Sequence, residues 1–200
     1  MKPIFALVVV VGGGLLQAPG VEAVTIDFVP SSQTVALGDP VSVDVVVSGL
    51  DVSGEIIRAF DLDATYDPSI LSATDVLIDT SLGGLLDSFG GFDLSTPGVV
   101  DFFEVSLLSD SELEAIQGDS FTLATLLFDS IAAGTSPLGL VAEGGFNVVV
   151  GSDWTELTVQ TGIGAVTVQD DGGGTVPEPS TGLLLVVALA VLATRRKLEN

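Results

Sequence analysis

Through the middle of this chain apolar and polar residues alternate one by one, whereas at both ends apolar residues run together. Val24 to Val29 reads Val-Thr-Ile-Asp-Phe-Val, and Val41 to Val47 reads Val-Ser-Val-Asp-Val-Val-Val. From Ala59 to Tyr66, Phe60, Leu62, Ala64 and Tyr66 fall on one side, with Asp61, Asp63 and Thr65 on the other. Successive side chains of a strand point to opposite faces, so this period predicts half-buried strands with a polar outer face. Further strands are expected over Ala73 to Ile78, Val99 to Val105, Phe121 to Ile131, Gly139 to Ala142, Phe146 to Val150 and Ile163 to Val168. Breakers separate them at Gly38-Asp39-Pro40, Asp67-Pro68, Pro97-Gly98, Ser136-Pro137 and Gly144-Gly145. Only Ser109 to Ile116 predicts a helix, with Ser109 or Ser111 as its cap and Glu112 and Glu114 in its first turn. About nine short strands without a long amphipathic helix predict an all-β antiparallel sandwich over residues 24–169.

The ends obey a different rule. Lys2 is followed by an apolar run from Ile4 to Val11, then glycines, then Val21-Glu22-Ala23. A basic start, a short apolar stretch and small residues before the cut are the order of a secretory signal. Residues 1–23 are therefore expected to be a signal peptide, with signal peptidase cutting between Ala23 and Val24. The apolar run is too short to span a bilayer, and glycines interrupt it. At the other end, residues 170–176 have the composition of a flexible Gly-rich linker. Residues 177–200 then hold Pro177-Glu178-Pro179, an apolar run from Gly182 to Ala193, and Arg195, Arg196 and Lys197. That run is helix-competent yet shorter than the roughly 17 to 25 residues of a permanent span, which suits a transient membrane anchor. Its trailing basic cluster is expected to stay cytoplasmic, placing the preceding domain across the membrane.

Charge sharpens this picture. The chain has 5 Lys+Arg against 27 Asp+Glu, and Arg58 is the single basic residue between the two ends. Nucleic acids and anionic membrane surfaces are bound through cations, so both are excluded as partners of this domain. The sequence contains no Cys and no His. Stability must come from the core rather than from disulfides, and thiol nucleophiles, His-dependent triads and the commonest zinc and copper ligands are all missing.

Val176-Pro177-Glu178-Pro179-Ser180, the short apolar helix and the basic cluster resemble, in that order, the PEP-CTERM sorting signal of Gram-negative, exopolysaccharide-producing bacteria. The resemblance implies recognition and processing by exosortase, a membrane-embedded cysteine protease, and delivery to the cell surface or extracellular matrix. In this reading Pro177, Glu178 and Pro179 are substrate features, and the tail works as a removable anchor. The middle segment Phe60-Asp-Leu-Asp-Ala-Thr-Tyr66-Asp67-Pro68-Ser-Ile-Leu71, with the later Phe121-Thr-Leu-Ala-Thr-Leu-Leu-Phe128, resembles the cohesin domain. That resemblance implies a nine-stranded jelly-roll sandwich, related to carbohydrate-binding modules, of a family that binds dockerins.

Candidate chemistry is sparse. Asp61 and Asp63, with Asp67 nearby, offer oxygen ligands that calcium accepts, but a solvated strand face and a turn-forming Asp account for the same residues. No EF-hand spacing is present, and Asp170-Asp171-Gly172 lacks it too. Gly162-Ile-Gly164 is too short for a nucleotide fingerprint and reads as a turn. Paired carboxylates for glycoside hydrolysis carry no weight among so many acids, and only Tyr66 and Trp154 offer a polar-tipped ring. Tyr66 is expected in the core, and Trp154 is a candidate surface contact. The composite expectation is a non-catalytic, cofactor-free surface or matrix protein that binds exopolysaccharide or a surface protein. A dockerin receptor and a polysaccharide-active enzyme stand as the alternatives.

Overall fold

The computed structural model describes residues 24–140 and 148–170. The expected signal peptide, the linker and tail beyond Asp170, the end of the Gly139 to Ala142 strand, Gly144-Gly145 and Phe146 lie outside the described residues. Among these residues twelve strands form two sheets. One sheet has the order β11 (Gln160–Thr161), β1 (Thr25–Val29), β3 (Pro40–Ser48), β8 (Ser120–Ser130), β5 (Leu71–Ile78). The other runs β2 (Ser32–Ala36), β12 (Gly164–Gln169), β9 (Gly134–Leu140), β4 (Ala59–Thr65), β7 (Val99–Ser106), β6 (Ser88–Asp93). β10 (Val148–Val150) pairs with the first half of β4, and β9 pairs with its end, so the two lie in line along one side of it.

The period-2 reading of the core holds residue by residue. Ile26 and Phe28 on β1, Val41 to Val47 in alternation on β3, and Phe60, Leu62 and Ala64 on β4 are all buried. Phe28, Phe60, Phe102 and Phe128 are among the largest fully buried side chains, and removing each from water stabilises the fold by about 1.5–3 kcal/mol. Phe60 and Phe102 meet edge to face at 5.9 Å, and Tyr66 stands against Phe128 at 5.1 Å. On β8 both Leu123 and Ala124 point inward, which requires the break in register opposite Val45 and Val46.

The sandwich exceeds the expected nine strands through its margins. β2 and β6 sit on the borders of one sheet, β11 is a two-residue border of the other, and their exposed residues give no alternation. Helix α1 (Leu50–Ser53) was also not expected, whereas α2 (Asp110–Ile116) was. Ser109, not Ser111, caps α2: Glu112 folds back to accept from its backbone N–H at 2.9 Å. The first turn therefore carries Asp110 and Glu112 rather than Glu114. Gln117, the cap residue at the far end, grips Ile57, donating to its carbonyl at 2.6 Å and accepting from its N–H at 2.8 Å. Leu113 is fully buried and fixes the helix to the sandwich.

Strands run from one pole of the molecule to the other. Thr25 pairs with Ser48 and Gln160, at the pole that carries α1 and α2. Gln169 pairs with Ala36 and accepts from the Leu37 N–H, at the opposite pole with the turns at Asp67 and Ser130.

Candidate binding face

Every strand that is buried on one side leaves another side to solvent, and on β7 that outer side is unusually apolar. Val100 and Phe102 point into the core, while Val99, Phe103 and Val105 alternate outward, with Asp101 between them. Antiparallel register places Phe103 beside Gly91 of β6 and Asp61 of β4, and Val105 beside Phe89 and Ala59. Val148 and Val150 of β10 extend the patch past Asp61 and Ala59. Phe89 is 55 % exposed. Gly91 has a specific role: a Cβ there would lie 3.3 Å from the Phe103 ring, so glycine lets that ring lie against the neighbouring strand. A shallow cavity of about 120 Å³ opens between Asp61, Phe103, Val105, Val148 and Val150.

Carboxylates border this patch. Asp63 is directly opposite Asp101, which is directly opposite Asp93, and Asp61 lies two residues along β4. Side chains in such cross-strand positions stand about 4.5–5.5 Å apart at Cβ, close enough for like charges to repel. Partial burial raises the Asp61 carboxyl above its ordinary value, and Asp101 and then Asp63 push it further. Asp63 is raised by burial and then by Asp101. Asp93 is held low by hydrogen bonds from the Ser95 N–H and hydroxyl, so it stays charged. In the folded protein Asp61 and Asp63 keep their protons longer than in the unfolded chain. The stability that this contributes is complete below the ordinary carboxylate range and is lost as pH climbs through the raised values. Asp101→Asn is therefore expected to raise the melting midpoint at pH 7 and to leave it unchanged near pH 3. Equal shifts at both pH values would mean that the side chain acts through packing rather than charge.

Asp67, the third carboxylate expected near these, is not part of the face. It closes the turn after β4: its carboxylate accepts from the Ser69 hydroxyl at 2.6 Å and N–H at 2.9 Å, which lower its pKa. Among the described residues no three His, Cys, Asp or Glu side chains converge in a way that would hold a metal. Val24, the residue after the expected cleavage, is 4 % exposed, and its carbonyl accepts from the Gln160 N–H at 2.9 Å. Ala23, Val176 to Ser180, Arg195, Arg196 and Lys197 lie outside the described residues.

Arg58 does not supply a cation to this surface. It is buried, ion-paired with Asp110, donates to the Leu108 carbonyl at 3.0 Å and lies 4.9 Å from the centre of the Trp154 ring. Trp154, the expected surface contact, is thus partly engaged as a lid over Arg58 while remaining 60 % exposed. The described surface is left with carboxylates as its charged groups. Sequence reasoning missed Phe89, Phe103, Val105 and Val148 as surface residues. The usable signal was Val99 to Ser106, a strand apolar on both of its faces.

Comparison with known proteins agrees with both parts of the chain. The family described as PEP-CTERM protein-sorting motif matches residues 175–197. Among curated proteins nothing matches the chain. Solved structures that share the fold include the seventh ScaB type I cohesin of Pseudobacteroides cellulosolvens, 16% identical, with TM-score 0.58 over 74% of this chain and 93% of that one. A type I cohesin–dockerin complex from Clostridium thermocellum is 15% identical with TM-score 0.58, over 74% of this chain and 100% of the other. A non-cellulosomal cohesin from the archaeon Archaeoglobus fulgidus is 17% identical with TM-score 0.56, over 74% and 93%. The chain carries a PEP-CTERM protein-sorting motif behind a β-sandwich of the cohesin fold.

Proposed function

We propose that this is a non-catalytic protein of the cell surface or extracellular matrix, whose sandwich holds a partner protein on the outer face of β10, β4, β7 and β6. The observation that carries the reading is an apolar centre, Phe103 with Phe89, Val105, Val148 and Val150, bordered by Asp61, Asp63, Asp93 and Asp101, with no free cation among the described residues. A partner with an apolar centre and a Lys/Arg rim complements it, the apolar part supplying affinity and the charges supplying orientation. Signal peptidase cleaves after Ala23, leaving Val24 as a buried first residue. Exosortase recognises Pro177-Glu178-Pro179 and processes the tail, and many copies displayed together turn modest contacts into firm attachment. Dockerins, bound by the cohesin in the Clostridium thermocellum complex, are one partner class with which to begin.

The test compares wild type and Phe103→Asp in the native matrix. A central aromatic contact is worth about 2 kcal/mol, roughly 30-fold in affinity. The variant, with its β-type circular dichroism spectrum intact, should leave the washed matrix at low salt while the wild type stays bound. Equal retention would show that the contact lies elsewhere. Release of reducing ends from the organism's own exopolysaccharide, abolished by one Asp or Glu substitution, would identify an enzyme instead.

A further inference from the structure

The inner side of β7 carries an acid among apolar residues. Glu104 follows Val100 and Phe102 toward the interior and is only 4 % exposed, and its Oε2 has no hydrogen-bond partner. Burial raises its carboxyl, a hydrogen bond from Ser88 opposes that shift, and the negative charge of Asp79 adds to it. Opposite Glu104 in the ladder stands Gly90, where a Cβ would meet the Phe103 carbonyl oxygen at 2.6 Å and the Glu104 Cβ at 3.2 Å. Glycine at this position lets β6 pack closely against β7 and against Ile78, whose Cδ1 would lie 3.2 Å from such a Cβ.

A groove of about 540 Å³ opens at the border of the two sheets, lined by Glu104, Ser88, Asp79, Thr80, Gly83 and Gly84. Asp79 follows β5, the border strand of one sheet, and Ser88 begins β6, the border strand of the other. Both hydrogen bonds that Asp79 receives, from the Ser81 N–H and hydroxyl, fall on Oδ1. An orphaned buried carboxylate oxygen is costly unless it takes up a proton or a cation completes it. With neither His nor Cys in the sequence, such a cation must accept oxygen ligands, and carboxylates mixed with hydroxyls and loop carbonyls suit the loose coordination of calcium better than the strict octahedron of magnesium.

We propose that Glu104 and Asp79 bind one calcium ion in this groove, joining the borders of the two sheets where no backbone ladder links them. In a domain without cysteines the ion does the work that a disulfide does in other exported domains. Glu104 points to the opposite side of β7 from Phe103, and the groove adjoins the binding face at Phe89, which lines both.

The full chain, purified in mild detergent, is melted in EDTA and then with increasing calcium chloride, against sodium and magnesium chloride at equal ionic strength. Calcium is expected to raise the midpoint saturably, by about 5–10 °C at one hundred times its dissociation constant. Glu104→Gln, which removes the buried charge, should melt above wild type in EDTA and gain nothing from calcium. Asp79→Asn should weaken half-saturation at least tenfold, and Asp61→Asn should leave it unchanged. Equilibrium dialysis with radiocalcium should find one tight ion per wild-type chain, a readout that stands even where a variant does not fold. A midpoint that follows ionic strength alone, no tightly bound ion, or a saturable rise that survives in Glu104→Gln would overturn the site.

Discussion

Removing residues 182–197 is expected to divert nearly all of the protein from its surface and membrane fractions while leaving the sandwich folded. The deleted stretch holds the apolar run and the three basic residues, so on the proposed reading the chain would lose both its partition into the bilayer and the charges that would keep its end on the cytoplasmic side. The sandwich does not depend on it, since β12 ends at Gln169 with its ladders to β2 and β9 complete. Fractionation and immunoblotting of exported protein measure the outcome. Replacing Pro177, Glu178 and Pro179 with alanine separates sorting from anchoring: the run still enters the membrane, so the protein should accumulate there unprocessed. If the truncated chain reached the same fraction at the same processed size, the tail would not be the sorting element.

Phe102→Ala should destabilise the sandwich by about 3–5 kcal/mol, because a fully buried ring is lost and its cavity cannot collapse between two ladders. Phe102 also supplies the edge-to-face contact with Phe60, and its strand is paired on both sides, with β4 and with β6. A domain of this size has roughly 5–15 kcal/mol in total, so the melting midpoint should drop by about 10 °C or more. The next residue tests the opposite face of the same strand: Phe103→Ala, only partly buried, should shift the midpoint less. Similar drops for the two variants would mean that Phe103 is part of the core and that the outer face is not a free surface.

How legible the molecule was in its sequence depends on the strand. β1, β3 and β4 were readable because each buries one face and wets the other, so composition and geometry repeat the same period. The turn at Asp67-Pro68 and the cap at Ser109 follow local chemistry that acts within a few residues. β6 escaped because Gly90 and Gly91 have no side chains to alternate. The reasons for those glycines, the Phe103 ring beside Gly91 and the Phe103 carbonyl oxygen beside Gly90, are contributed by another strand. Arg58 was conspicuous as a lone cation, yet its burial depended on Asp110 and Trp154, about 50 and 100 residues away in the chain. The binding face belongs to the same class: Phe89, Phe103 and Val148 lie on three strands, and only their registers make them one surface.

The exit of the chain at Gln169 has a geometric corollary for a tethered molecule. With strands running from pole to pole, a tether that leaves from Gln169 holds the sandwich by the pole opposite α1 and α2. The outer sheet then forms a side wall rather than a roof. What such a wall meets first is whatever stands next to it in the same layer, so a partner with a basic rim would be met sideways, whereas a second copy of this acidic chain would be held off by its charge.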